Sequence, residues 1–97
     1  MHLVQILLPV QDVSRERYET VLRTLTDRFG GVTAYSRAPA AGMWMEKPGK
    51  PVHDDIMVYE VMVESLDARW WREYRASLEG LFQQQELVVR ALPIERL

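Results

Sequence analysis

The charged residue best placed for chemistry is Glu60, which lies in the apolar run DIMVYEVMV, residues 55 to 63. A carboxylate with apolar neighbours on a predicted strand is partly desolvated and needs a partner. Arg37 and Arg90, from two other predicted strands, are candidate partners. Glu60 is therefore either a catalytic general base or polar anchor, with an arginine binding an anionic substrate group, or part of an ion pair that fixes the register of a dimer.

A second set of candidate residues lies in RAPAAGMWMEKPGKPVHDD, residues 37 to 55. His53 stands beside Asp54, and a carboxylate can orient an imidazole for acid–base catalysis or metal binding. The chain has only one other histidine, at position 2, so we predict no metal site and take a solvated histidine as the alternative. Trp44 either packs at the rim of a dimer or forms a lid that stacks on a bound ring.

The hydrophobic pattern predicts the elements that position these residues. Alternating apolar residues predict strands at 2–8, 32–37, 55–64 and 87–92. Helical spacing predicts a first helix from Asp12 or Ser14 to Phe29 and a second from Ser65 or Asp67 to about Phe82. The order βαββαβ indicates an α+β, ferredoxin-like domain over residues 1–97, with a four-stranded antiparallel sheet and both helices on one face.

The long connection between the second and third strands is expected to contain structure of its own, because structureless loops of this length are uncommon in small domains. Pro48 and Gly49 lie between two extended runs, which is typical of a hairpin turn. We therefore predict a short β-arm that extends the third strand backwards, with the bend at APAAG, residues 38–42.

The face of the sheet without helices, called the open face below, mixes apolar and polar residues. It is predicted to carry Leu3, Gln5, Leu7, Thr33, Tyr35, Arg37, Ile56, Val58, Glu60, Met62, Val88, Arg90 and Leu92. A sheet surface of this composition usually contacts a partner. A second copy of the chain, packed sheet against sheet, would form a dimeric α+β barrel.

Charge and composition exclude several function classes. The net charge of −2 leaves no broad basic surface, so we predict neither nucleic-acid nor membrane binding. The chain has no cysteine, which excludes disulfides and thiol chemistry. It carries no phosphate-loop, nucleophile-elbow or metalloprotease motif. The N-terminus lacks the pattern of a signal peptide, and the expected location is the cytoplasm.

One stretch resembles a known group of proteins. RFGGVTAYSRAPAAGMW, residues 28 to 44, is similar to the F-G-G-x-T and x-G-x-W pattern of small uncharacterised bacterial proteins with a ferredoxin-like fold. An acidic pair before a strong strand, HDDIMVYEVMV, continues the similarity. The resemblance implies the fold and a bacterial origin, and it brings no activity with it.

These observations favour a homodimer that binds a small anionic or aromatic metabolite at the open face, beneath the arm. The predicted ligand-binding residues are Gln5, Tyr35, Arg37, Trp44 and Arg90. No cofactor is predicted. One alternative is a cofactor-independent enzyme performing oxygenation, isomerisation or proton transfer with Glu60 or His53 as base. Another is an interaction module that docks a different protein on the open sheet, so the sequence leaves open whether the chain is an enzyme.

Overall fold

The computed structural model describes residues 1–10, 15–47 and 50–97, and side chains within these ranges except those of residues 36–47 and 50–55. The elements are β1 (His2–Pro9), α1 (Arg15–Phe29), β2 (Thr33–Lys47), β3 (Lys50–Val63), α2 (Ala68–Leu81) and β4 (Val88–Pro93). This order confirms the predicted ferredoxin-like fold. In the described part of the chain, no helix is long and apolar enough to cross a membrane.

The four strands form one antiparallel sheet in the order β2-β3-β1-β4, so β1 and β3 are central as predicted. Alternate residues of each central strand are buried on the helix side of the sheet. The core consists of Val4, Ile6, Leu8, Val21, Leu25, Tyr59, Val61, Val63, Trp71, Leu78, Phe82 and Leu87. Tyr59 is 2% exposed, which confirms the predicted faces of β3 and leaves Glu60 on the open face.

The helix ends follow local chemistry. Gly30 has φ +82°, a conformation that favours glycine, and its N–H donates to the carbonyl oxygen of Thr26 at 2.8 Å. At the start of α2, Asp67 is the N-cap, and its Oδ1 accepts from the N–H of Trp70 at 3.1 Å. The structure thus selects Asp67 over Ser65. The predicted caps of the first helix, residues 12 and 14, lie outside the described residues.

The β2–β3 hairpin confirms the predicted arm but corrects its base. Residues 38–42 lie within β2, whereas we predicted a bend there. Between Tyr35 and Ala40 the strand β2 advances five residues while β3 advances two, from Val58 to Ile56, so β2 carries three extra residues. Pro39 supplies a reason, because proline has no N–H to donate to a neighbouring strand. The two strands shift register here and pair again from Ala40, opposite Ile56.

Candidate functional site

Four polar side chains, one from each strand, lie in a line across the open face. Gln5 of β1 stands opposite Glu60 of β3 and opposite Arg90 of β4. Tyr35 of β2 is diagonal to Glu60, since Glu60 pairs with Thr33 two residues earlier in β2. We call Tyr35, Glu60, Gln5 and Arg90 the polar track. The sheet therefore brings together four of the residues that the sequence predicted for the site.

Hydrogen bonds connect the polar track from one edge strand to the other. The Tyr35 hydroxyl donates to Oε1 of Glu60 at 3.0 Å, and Nε2 of Gln5 donates to Oε2 of Glu60 at 2.7 Å. Arg90 donates through Nε to Oε1 of Gln5 at 2.7 Å. A carboxylate only accepts and a guanidinium only donates, so a single orientation of the Gln5 amide satisfies both neighbours.

The carboxylate of Glu60 also governs the ionisation of Tyr35. The hydrogen bond to Glu60, then the negative charge of Glu60, and then desolvation raise the pKa of Tyr35 above its ordinary value of 10.0. Tyr35 therefore stays protonated and remains a donor. Each oxygen of Glu60 accepts one hydrogen bond and keeps a second lone pair, so these bonds hold Glu60 in place without preventing it from accepting a proton.

Arg90 reaches Glu60 through Gln5, so the charged ends of the polar track make no direct ion pair. The Arg90 side chain is exposed. Among the described residues, no acceptor lies within hydrogen-bond distance of its two terminal Nη atoms. These atoms can bind a carboxylate or a phosphate in the planar, two-point geometry that arginine favours.

Apolar side chains surround the polar track. Tyr35, Met62, Val88 and Leu92 have exposed fractions of 50%, 52%, 48% and 45%, which are high for large apolar residues on one sheet face. Leu3, Leu7 and Val58 are half-buried beside them. This apolar surface can hold an uncharged part of a ligand or a second protein surface.

The other predicted site residues lie on the arm. In the backbone register, Trp44 of β2 pairs with Val52, and His53 of β3 pairs with Met43. The side chains of Arg37, Trp44 and His53 are outside the described set, so their roles stay predictions. Among the side chains that are described, no group of three or more histidine, cysteine, aspartate or glutamate residues could hold a metal ion.

Sequence reasoning found the members of the polar track but missed the role of Gln5. It considered Arg37 and Arg90 as direct partners of Glu60, whereas the amide of Gln5 lies between Glu60 and Arg90. The only available signal was that Gln5 is the one polar residue on its face of β1. Such a residue on a central strand needs partners from both neighbouring strands.

Comparison with known proteins identifies the fold. No family model matches the sequence, and no curated protein matches it either. A divalent cation tolerance protein (Cut A1) from Thermus thermophilus is 18% identical with a TM-score of 0.64, covering 99% of this chain and 86% of that chain. A periplasmic divalent cation tolerance protein CutA from Archaeoglobus fulgidus is 22% identical with a TM-score of 0.65 and the same coverage, 99% and 86%.

CutA from Xylella fastidiosa is 14% identical with a TM-score of 0.63, covering 98% of this chain and 84% of that chain. The similar structures include archaeal proteins and one described as periplasmic, so the bacterial origin and cytoplasmic location of this chain stay predictions. At these sequence identities the similarity extends to the fold alone. The chain is a small protein with the ferredoxin-like fold that the CutA structures share.

Proposed function

We propose that this chain is a homodimeric small-molecule-binding domain whose open face takes an anionic or aromatic metabolite. The observation that carries the proposal is the polar track, a fully connected set of hydrogen bonds within an otherwise apolar, exposed surface. A few convergent polar groups in an apolar surface are typical of ligand sites.

Arg90 supplies the charge that recognises an anionic group. Its Nε is held by Gln5, which in turn is held by Glu60, so the guanidinium loses less conformational freedom when it binds. The exposed ring of Tyr35 and the side chain of Met62 supply contact area for an apolar or aromatic body. The predicted contributions of Arg37 and Trp44 belong to the same hypothesis.

A thermal-shift screen tests the ligand hypothesis. Anionic and aromatic metabolites are screened together with divalent metal salts, because the structurally similar proteins are described as divalent cation tolerance proteins. A ligand at 100 times its Kd stabilises the native state by about 2.7 kcal/mol. We expect a metabolite that raises the melting temperature of the wild type and of Arg69→Gln but not that of Arg90→Gln. Arg69 serves as the control because it is an exposed arginine that pairs with Glu73 on α2.

The other outcomes of the screen favour the alternatives. A shift by a metal salt alone would point to side chains outside the described set, such as His53. Turnover of a hit that Glu60→Gln abolishes while binding is retained would identify an enzyme. No hit in any protein would overturn the metabolite proposal in favour of an interaction module. Circular dichroism of each variant shows whether the fold is intact.

Dimerisation through the open face is tested separately, by the mass of the protein in solution. Met62→Glu places a charge within the apolar surface of the proposed interface, and a buried unpaired charge opposes association. Val10→Glu is the control, since Val10 has a similar exposed fraction, 45% against 52%, but lies beyond the end of β1. We expect light scattering to show a dimer for the wild type and Val10→Glu and a monomer for Met62→Glu. A monomeric wild type would contradict the proposal.

A further inference from the structure

A concave surface lies on the helix side of the sheet, between α2 and β4. Its volume is about 180 Å³, and its floor is apolar, formed by Val4, Trp71, Val89 and Ala91. Arg72 and Arg75 of α2 line it as well. We call this surface the α2–β4 groove. Arg90 borders it, but the Arg90 side chain is hydrogen-bonded to Gln5 on the open face.

The floor of the groove is closely packed. Trp71 is 5% exposed and stacks on Phe29, with the ring centroids 5.1 Å apart and the planes at 8°. Trp70 packs against it edge-on at 4.8 Å. Val4 is 1% exposed on central strand β1. A ligand would therefore meet a preformed surface and would not have to order it.

The charges at the groove are all of one sign. Arg72 and Arg75 are three residues apart on α2, so their side chains project from neighbouring positions of one helix face. Among the described residues, no carboxylate lies within ion-pair distance of either, whereas Arg69 on the same helix pairs with Glu73 at 3.3 Å. The described residues that line the groove include no acid.

We propose that the α2–β4 groove binds a small organic anion, in which a carboxylate or phosphate group is joined to a short apolar body. Arg72 and Arg75 bind the anionic group, and the apolar body lies on Trp71, Val89 and Ala91. The volume of the groove limits the size of the ligand. For comparison, an apolar cavity of about 150 Å³ accommodates benzene. A groove of about 180 Å³ thus takes one ring or a short branched chain.

The position of β4 adds polar groups to the same site. In the described sheet β4 pairs with β1 on one side and forms the edge on the other. An edge strand presents backbone N–H and C=O groups that no neighbouring strand uses. Because Val89, Arg90 and Ala91 of β4 line the groove, a polar substituent that extends past the sheet edge can reach these groups.

Three probes of one shape separate charge from apolar contact: phenylacetate, phenyl phosphate and the uncharged phenylacetamide. Binding is measured by calorimetry and by the indole N–H resonance of Trp71 in nitrogen-15 NMR spectra. The variants are Arg72→Gln combined with Arg75→Gln, which removes the charge, and Ala91→Leu, which fills the floor. Arg69→Gln is the matched control because it removes a charge from the same helix outside the groove.

We expect both anions to bind and to shift the Trp71 resonance, and the tighter of the two identifies the preferred anionic group. The double arginine variant should weaken binding by at least about tenfold, while Arg69→Gln changes it by less than about twofold. Ala91→Leu should abolish binding through steric exclusion. The double variant changes exposed residues only, so its fold is preserved and its result is decisive if Ala91→Leu fails to fold.

Three results would overturn the inference: equal binding of phenylacetamide, unchanged binding by the double variant, or no binding of either anion at millimolar concentration. The Tyr35→Ala variant separates this inference from the proposed function, because Tyr35 lies on the open face and does not line the groove. Groove binding should persist in it, whereas binding at the open face is weakened. Probe binding that is weakened in Tyr35→Ala but kept in the double variant would assign the probes to the open face and contradict the groove site.

Discussion

At the scale of single residues, Gln5 decides how the charges of the open face interact. Its amide accepts from Arg90 and donates to Glu60, so the two charges are linked without desolvating each other in a direct ion pair. The glutamine link leaves the terminal nitrogens of Arg90 available to a ligand, and that availability is what the proposed function requires.

The pKa of Tyr35 tests the polar track directly. Glu60→Gln removes the carboxylate whose hydrogen bond and negative charge raise this pKa, so the pKa of Tyr35 should fall toward 10.0. The measurement is a titration followed by carbon-13 NMR of the tyrosine ring. Tyr74 is the internal control, because burial, rather than Glu60, raises its pKa to about 12. An unchanged Tyr35 pKa would show that the two side chains are not bonded in solution.

At the scale of elements, the N-cap of α2 holds the helix that carries one wall of the groove. Asp67→Ala leaves the N–H of Trp70 without its acceptor and should lower the free energy of unfolding by about 1 kcal/mol. Asp67→Asn is the matched control, since asparagine is also a good N-cap residue. Urea unfolding of the three proteins measures the difference.

The same pair of variants separates the cap from an ion pair. Asp67 also lies 3.9 Å from Arg28, in an exposed pair that should contribute little. Arg28 lies over the ring of Trp70 at 4.3 Å, which holds it in place independently of Asp67. If Asp67→Asn were as destabilising as Asp67→Ala, the charge of Asp67 and not the cap would be the stabilising feature.

At the scale of the whole molecule, one buried and one half-buried tyrosine make stability depend on alkaline pH. Burial raises the pKa of Tyr59 and of Tyr74 to about 12. Folded-state pKa values above the unfolded value of 10.0 mean that the unfolded chain loses its protons first. The stabilisation of the folded state by these two tyrosines is complete below pH 10.0 and is lost as the pH rises toward 12.

We therefore expect the free energy of unfolding to fall between these pH values, and to fall less steeply in Tyr74→Phe. Phenylalanine keeps the ring contacts of Tyr74 with Trp70 but cannot ionise. Denaturant titrations at a series of pH values measure the slope. An identical slope in Tyr74→Phe would mean that this tyrosine ionises equally easily in the folded and the unfolded protein.

The sequence by itself determined the element order, the buried and exposed faces of the central strands, and the end of α1. These features depend on local chemistry: the two-residue period of residues 55–63, and a glycine at position 30 that adopts a positive φ at little cost. The composition of the open face followed from the same period. The sequence therefore predicted that the four residues of the polar track lie on one surface.

Only the tertiary structure decided which of these residues touch. The two-residue period specifies the face of a strand, but any slip by two residues preserves it, so the pairing of Gln5 with both Glu60 and Arg90 was undetermined. The three extra residues in β2 are a register shift that the two-residue period does not predict. The α2–β4 groove joins Val4 to Trp71 and Ala91, residues distant in sequence, through the packing of a helix on an edge strand. Long-range packing sets such distances, and no local pattern encodes them.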